Sequence, residues 1–179
     1  IWRAHVRVAR HQHLRWKWVL KTSCAIIFQK WLKFVPLLPK HRLSAAELAQ
    51  LHQQAFTKER PWSALEFKDL IAQPGVFLTC SSHCFALGRL VVDEVEILTV
   101  ACAPSHQRQG LARQIIAQLL DEATSHGSVW SFLEVASDNT AAISVYQGLE
   151  FEEVGQRKNY YKRKDTAPCD ALIFRKYLI

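Results

Sequence analysis

Methionine is absent from all 179 residues, the first position included. The sequence therefore reads as a processed product, a fragment, or a translation that begins upstream of the true start. Cysteine occurs five times, at Cys24, Cys80, Cys84, Cys102 and Cys169. An odd number without framework spacing excludes a small secreted disulfide scaffold, and free thiols in a reducing cytosol are the expectation. Zinc-ligand spacing is missing too. Cys80, His83 and Cys84 lie close together, as do His5, His11 and His13, but neither group has paired spacing, so no metal is expected. Long apolar runs are also absent. The greasiest stretch, residues 16–38, is interrupted by Lys17, Lys21, Lys30 and Lys33, and falls short of the about 18 apolar residues that a membrane-spanning helix needs. No membrane span is expected, and the expected location is cytoplasmic. The sequence has no internal repeat.

Acidic residues are missing from residues 1–42, which hold ten of the 23 Lys and Arg. The other 13 basic residues face all 16 acidic ones, a balance of −3, so the formal net charge of +7 belongs to the N-terminal segment. No specific nucleic acid is expected as a partner of the remainder. Trp2, Trp16, Trp18 and Trp31 also lie in this segment. Three readings compete for it: a targeting peptide or membrane-surface helix, a binder of acidic partners such as RNA, or a non-native extension with no selected role. Its lack of clean periodicity favours the third. Pro36 and Pro39 mark a boundary, giving an extension over 1–42 and a domain over 43–179.

From Leu43 onward the pattern is orderly. Ser44 with Glu47, and Ser63 with Glu66 behind Pro61-Trp62, are capping-box pairs that open two helices, the first running to about Phe56. Residues 76–80, 84–92 and 95–101 read as three strands, joined at Ser81-Ser82-His83 and Asp93-Glu94. Leu111, Ala112, Ile115, Ile116, Leu119, Leu120 and Ala123 recur at helical spacing, and His126-Gly127 ends that helix. Residues 129–135 are nearly free of polar side chains, as in a strand covered on both faces. Asp138-Asn139 caps a short helix over 140–148, and residues 151–157 and 171–177 supply two last strands. The expected order is two helices, three strands, helix, strand, helix, two strands. This is an α/β (α+β) domain with a mixed central sheet.

Three features carry chemistry. Behind Pro104 a polar loop leads into a helix near Gly110. The first N–H groups of a helix lack intrahelical partners and carry the positive end of its dipole, so a pyrophosphate is well placed there. Gly110 and Ala112 are small, and Arg108 and Arg113 add positive charge. The same residues also suit a plain strand–loop–helix connection. Glu134 sits mid-strand among apolar neighbours. Burial there would raise its carboxyl toward the range of a general base; a satisfied structural carboxylate is the alternative. Tyr146 lies on the inward stripe Ala141, Ala142, Val145, Tyr146 and Leu149. It is either core or an acid whose phenol, with a pKa near ~10, protonates a leaving thiolate with one near ~8.5. Asn139 either caps its helix or meets a ligand.

Thr99-Val100-Ala101-Cys102-Ala103-Pro104 followed by Gln107-Arg108-Gln109-Gly110-Leu111-Ala112 resembles motif A of the GNAT superfamily. Phe132-Leu133-Glu134-Val135, Asn139-Thr140-Ala141-Ala142 and Val145-Tyr146 resemble its motif B. The run from Glu134 to Ile143, together with Arg157-Lys158-Asn159-Tyr160-Tyr161, Asp170-Ala171-Leu172-Ile173 and Pro61-Trp62-Ser63, is similar to the RimI-type ribosomal-protein-alanine N-acetyltransferases. The resemblance covers residues 43–178. It implies the GNAT fold, with a mixed, mostly antiparallel sheet of six to seven strands and about four helices. It implies acetyl-CoA as co-substrate. Main-chain groups of Val100, Ala101 and Cys102 would line the pantetheine and acetyl carbonyl. Arg108, Gln109, Gly110, Leu111, Ala112 and Arg113 would hold the pyrophosphate, and Asn139 the pantetheine arm. Glu134 would be the general base, Tyr146 the general acid, and Trp62 and Tyr160 part of the acceptor side. The implied acceptor is a protein N-terminal α-amine, such as the N-terminal alanine of a ribosomal protein. An acetyltransferase for a small-molecule amine and a non-catalytic acyl-CoA-binding or RNA-associated module are the alternatives.

One departure stands out. The family reads Tyr-x-x-Leu-Gly-Phe where this chain has Tyr146-Gln147-Gly148-Leu149-Glu150-Phe151, so Glu150 occupies the glycine position. Positive φ there would strain the glutamate by about 1–2 kcal/mol.

Overall fold

A computed structural model describes residues 43–163 and 167–179; the expectations for residues 1–42, the His5, His11 and His13 group included, lie outside the described residues. Ser44 caps α1 (Ala45–Ala55): its hydroxyl accepts from the Glu47 N–H, and the Glu47 carboxylate accepts from the Ser44 N–H at 2.7 Å. Ser63 and Glu66 close the same box at α2 (Ala64–Ile71). Each box satisfies two first-turn donors within four residues, which is why so short a signal locates both helices.

Strands β1 (Val76–Cys80), β2 (Cys84–Val91) and β3 (Glu94–Cys102) form an antiparallel meander. A 3₁₀ turn, Pro104–His106, leads to α3 (Leu111–Ser125), β4 (Trp130–Ala136), α4 (Thr140–Gly148), β5 (Glu152–Tyr161) and β6 (Cys169–Tyr177). The expected order of elements is the observed one. The sheet runs β1-β2-β3-β4-β6-β5 and is antiparallel except where β3 meets β4. Six strands and four helices among the described residues match the mixed, mostly antiparallel sheet. On one side α3 buries Ile115, Ile116, Leu119 and Leu120, each worth roughly 1.5–3 kcal/mol of transfer free energy. Gly88 on β2 lets it approach, since a Cβ there would stand 3.2 Å from Leu119. A second cluster gathers Leu48, Leu51 and Phe67 of the first two helices on Phe85, Ala101 and Ala103.

The β3–β4 ladder is short. It pairs Glu94–Ile97 with Trp130–Leu133, and both strands then continue without pairing to each other. The break coincides with a bulge: β2 steps from Leu87↔Thr99 to Gly88↔Ile97, leaving Leu98 unpaired. A bulge increases local twist and bends its strand, so β3 turns away from β4 and a wedge opens between Val100–Cys102 and Glu134–Ala136.

Three expectations need correction. Cys84 and Cys102 stand opposite each other on β2 and β3, with Cα atoms 4.0 Å apart, and are joined by a disulfide rather than free. A separation of 18 residues carries no register information; strand pairing brings the two face to face. The bond also removes Cys84 as a metal ligand. Among the described residues no three His, Cys, Asp or Glu gather as a metal group, and no helix is long and apolar enough to cross a membrane. Second, β4 is covered on one face only: Ser131, Leu133 and Val135 are buried, whereas Trp130, Phe132 and Glu134 are half-buried. Third, the stripe of α4 is shallower than expected, with Tyr146 buried but Ala141 exposed.

Candidate active site

The wedge sets which main-chain groups are available. Directly opposed residues in an antiparallel pair alternate between hydrogen-bonded and non-bonded, the latter with closer Cα atoms. The 4.0 Å Cys84–Cys102 spacing marks a non-bonded pair, and the Ala103 N–H donating to the His83 carbonyl at 2.8 Å marks the bonded pair beside it. By the same alternation Ala101 bonds to Phe85. Val100 and Cys102 turn their N–H and C=O groups toward the wedge, and the Cys102 carbonyl accepts from Gln107 Nε2 at 3.2 Å. The expected trio of Val100, Ala101 and Cys102 narrows to its outer members.

Beyond β3 the chain makes a tight, sterically demanding loop. Arg108 has φ 59° and Gly110, the N-cap of α3, has φ 79°. The side chain of Gln109 braces the loop by donating to the Ser105 carbonyl at 3.3 Å. No side chain caps α3, and a Cβ on Gly110 would meet nothing within 4 Å. The first intrahelical bond is Gln114 N–H to the Gly110 carbonyl, so the N–H groups of Leu111, Ala112 and Arg113 have no intrahelical acceptor. Arg108 and Arg113 are exposed on either side. These are the properties of an anion cradle, and they fit a pyrophosphate.

Glu134 is the first β4 residue beyond the ladder, at the mouth of the wedge. It is not an isolated buried carboxylate, as expected: its side chain is 27% exposed, and its Oε1 lies 3.1 Å from Arg157 Nη2. Arg157 comes from β5 and also lies over the Tyr160 ring, 5.4 Å from its centroid. Burial raises the Tyr160 phenol above its ordinary pKa, and the neighbouring Glu134 carboxylate raises it further. Tyr161 donates to the Glu134 main-chain carbonyl at 3.4 Å. Its phenol is pushed well above the ordinary range by burial, then by Glu59, Glu134, Tyr160 and Tyr146. Glu134, Arg157, Tyr160 and Tyr161 therefore form one connected group. Tyr146 is 8% exposed and packs on Phe151 and Phe174; burial pushes its phenol up to about 12, so it keeps its proton at neutral pH.

Asn139 caps α4, accepting from the Ala142 N–H at 3.2 Å. The Trp62 ring packs on His52 and Phe67, and the Trp62 main-chain N–H donates to His52 Nδ1 at 3.2 Å. His52 is buried, and burial pushes its imidazole down to about 4.

Several members of this cluster are not evident as site residues in the sequence: Glu59, Arg157, Tyr161, Arg163 and Asp170. Asp170 shapes the β5 bulge. Between Arg157↔Ala171 and Tyr161↔Cys169, three residues of β5 oppose one of β6. Asp170 accepts from the Asn159 N–H at 2.6 Å and from Gln156 Nε2 at 2.8 Å, holding Asn159 at φ 52°. An acid on the next strand, 11 residues further on, cannot be matched to its bulge without the register.

Residues 45–151 match the family model described as the acetyltransferase (GNAT) family. The chain belongs to the GNAT acetyltransferase family. It is 41% identical over 89 residues to the [ribosomal protein bS18]-alanine N-acetyltransferase of Escherichia coli strain K12, covering 50% of this chain and 60% of that enzyme. It thus spans about three-fifths of the length of that curated relative. To the N-alpha-acetyltransferase RimI of Mycobacterium tuberculosis it is 33% identical over 144 residues, covering 75% of this chain and 87% of the relative. The crystal structure of the ribosomal-protein-S18-alanine N-acetyltransferase from Escherichia coli superposes with a TM-score of 0.67 at 31% identity, over 75% of this chain and 87% of that one.

Proposed function

We propose that the chain transfers the acetyl group of acetyl-CoA to a protein N-terminal α-amine, with the N-terminal alanine of a ribosomal protein as the acceptor class. The observation that carries this reading is Glu134 at the mouth of the wedge, paired with Arg157 and bordered by Tyr160 and Tyr161, opposite a wall that leads into an anion cradle. The acceptor class rests on the relatives with that activity. Acting on a ribosomal protein would place the chain in the cytoplasm.

Acetyl-CoA supplies an activated acetyl thioester; the rest is chemistry of the chain. The N–H groups at the head of α3, with Arg108 and Arg113, bind the pyrophosphate. The wedge-facing groups of Val100 and Cys102 line the pantetheine, and Asn139 has its amide nitrogen for the same arm. An α-amine arrives as an ammonium and must lose a proton to become a nucleophile. Glu134, already paired as a carboxylate, takes it directly or through a water. A wedge-facing N–H of β3 stabilises the oxyanion that attack creates. The N–C bond forms and the C–S bond breaks as Tyr146 gives its phenolic proton to the departing sulfur; the second proton that the nitrogen sheds on becoming an amide restores the phenol.

The test is incubation with acetyl-CoA and a panel of N-terminal peptides and small amines, read by mass spectrometry. Acetylation of alanine-initiated peptides at the α-amine is expected. Acetylation of small amines alone would reassign the acceptor, and binding of acetyl-CoA without turnover would make the chain a non-catalytic binding module.

A further inference from the structure

Arg163 follows Tyr160 and Tyr161, and its side chain is 5% exposed. Its guanidinium divides between two carboxylates from distant parts of the chain. Nη1 donates to Glu59 Oε1 at 2.9 Å, across 104 residues, and Nη2 donates to Asp138 Oδ1 at 2.7 Å. Lys58 Nζ donates to the other Asp138 oxygen at 2.9 Å. Glu59 lies in the α1–α2 connection, three residues before Trp62. Asp138 lies in the β4–α4 turn, beside Asn139 and four residues after Glu134. Three separate strips that carry site residues thus converge on one guanidinium.

A buried arginine held by two acids adds little stability over apolar packing, because desolvating the charges offsets most of their attraction. What a planar fork of donors adds is geometry: it fixes the distance and angle between the groups it bonds. We propose that Arg163 is a positioning residue that locks the α1–α2 connection to β5 and to the β4–α4 turn, and so sets the shape of the acceptor side of the site. The kinetic consequence rests on the acetyl-transfer reading; the structural consequence does not. Replacing Arg163 by glutamine leaves Glu59 and Asp138 facing each other without their shared cation, and the strips part. Lysine presents one point charge in place of a fork, so Arg163→Lys restores only part of the lock.

The full chain and its Arg163→Gln, Arg163→Lys and Glu59→Gln variants are compared by hydrogen exchange and by steady-state kinetics. In Arg163→Gln, residues 57–62 and 158–163 are expected to exchange roughly tenfold faster together, with β1 to β3 unchanged. The KM for the acceptor amine is expected to rise roughly tenfold, and less in Arg163→Lys, while the KM for acetyl-CoA stays within about twofold. Adding Glu59→Gln to Arg163→Gln is expected to change little more, since Arg163→Gln has already broken the Glu59 contact. Unchanged exchange in the two segments, or equal rises in both KM values, overturns the proposal. Exchange is read without turnover, so a wild-type chain that acetylates no amine sinks the acetyl-transfer reading while the lock is still tested. If Arg163→Gln does not fold, Glu59→Gln alone must loosen residues 57–62; normal exchange there overturns the lock.

Discussion

The two walls of the site are built by different means. One wall is the end of β3, the loop at 107–110 and the head of α3: one continuous stretch whose working groups are main-chain N–H and C=O. The other draws on the α1–α2 connection, the β4–α4 turn and the bulged end of β5, and its working groups are side chains held by ion pairs. The first needs correct local geometry, a bulge at Leu98 and positive φ at Arg108 and Gly110. The second needs segments more than a hundred residues apart to arrive together, and Arg163 with Glu59 and Asp138 makes that connection. A main-chain site is hard to alter by substitution, whereas a side-chain site can be retuned one residue at a time.

The comparison is broken most sharply at the point where the walls meet. Tyr146→Phe and Glu134→Gln should each lower turnover by about 10²–10³-fold, the usual contribution of a positioned acid or base, with acetyl-CoA affinity by calorimetry unchanged. The glutamine variant should regain rate as pH rises toward the α-amine pKa near ~8, because the amine then loses its proton unaided. Wild-type turnover in either variant would remove that residue from the mechanism. Next in size is Gly110→Val. A β-branched side chain at φ 79° strains the cradle and fills the space an anion would enter, so acetyl-CoA affinity should fall roughly tenfold with the acceptor KM unmoved. A matching rise in acceptor KM would mean that the two walls are not separable.

His52 probes the second wall through pH. Its pKa in the folded chain, about 4, lies below the ordinary value of 6.5, so the unfolded chain binds the extra proton first. Stability is therefore full above pH 6.5 and is lost as pH falls toward 4, on the order of 2 kcal/mol by pH 5. His52→Gln, which can still accept from the Trp62 N–H, should flatten that slope in thermal melts; an unchanged slope assigns it to other groups. The smallest effect belongs to Glu150, which has φ 63°. Its exposed pair with Lys176 at 2.9 Å offers little in return. Glu150→Gly should raise Tm by about 1–3 °C, and a fall would show that the ion pair outweighs the strain.

Local signals were legible where the physics is local. The capping boxes at Ser44 and Ser63, the glycine at the head of α3 and the helical stripe from Ile115 to Ala123 each settle their own element within a few residues. Even the strain at Glu150 could be anticipated from the one position where glycine was missing. The misreadings came from faces and partners. Residues 129–135 are nearly free of polar side chains, yet the face bearing Glu134 is half open, because nothing in that run says what packs on it. Cys84 and Cys102 look like two unrelated thiols until β2 and β3 are in register.

The amino-acid sequence by itself determined the order of the elements and the helix start at Gly110, and its family resemblance named Glu134 and Tyr146 as the pair to be tested. Periodicity, caps and turn residues act over distances the chain spans in a few bonds. Only the tertiary structure decided that Arg157 pairs with Glu134, that Val100 and Cys102 rather than Ala101 face the wedge, and that Arg163 draws three strips together. Each of these depends on strand register and on charges brought close by folding, and neither distance nor register is written in sequence separation.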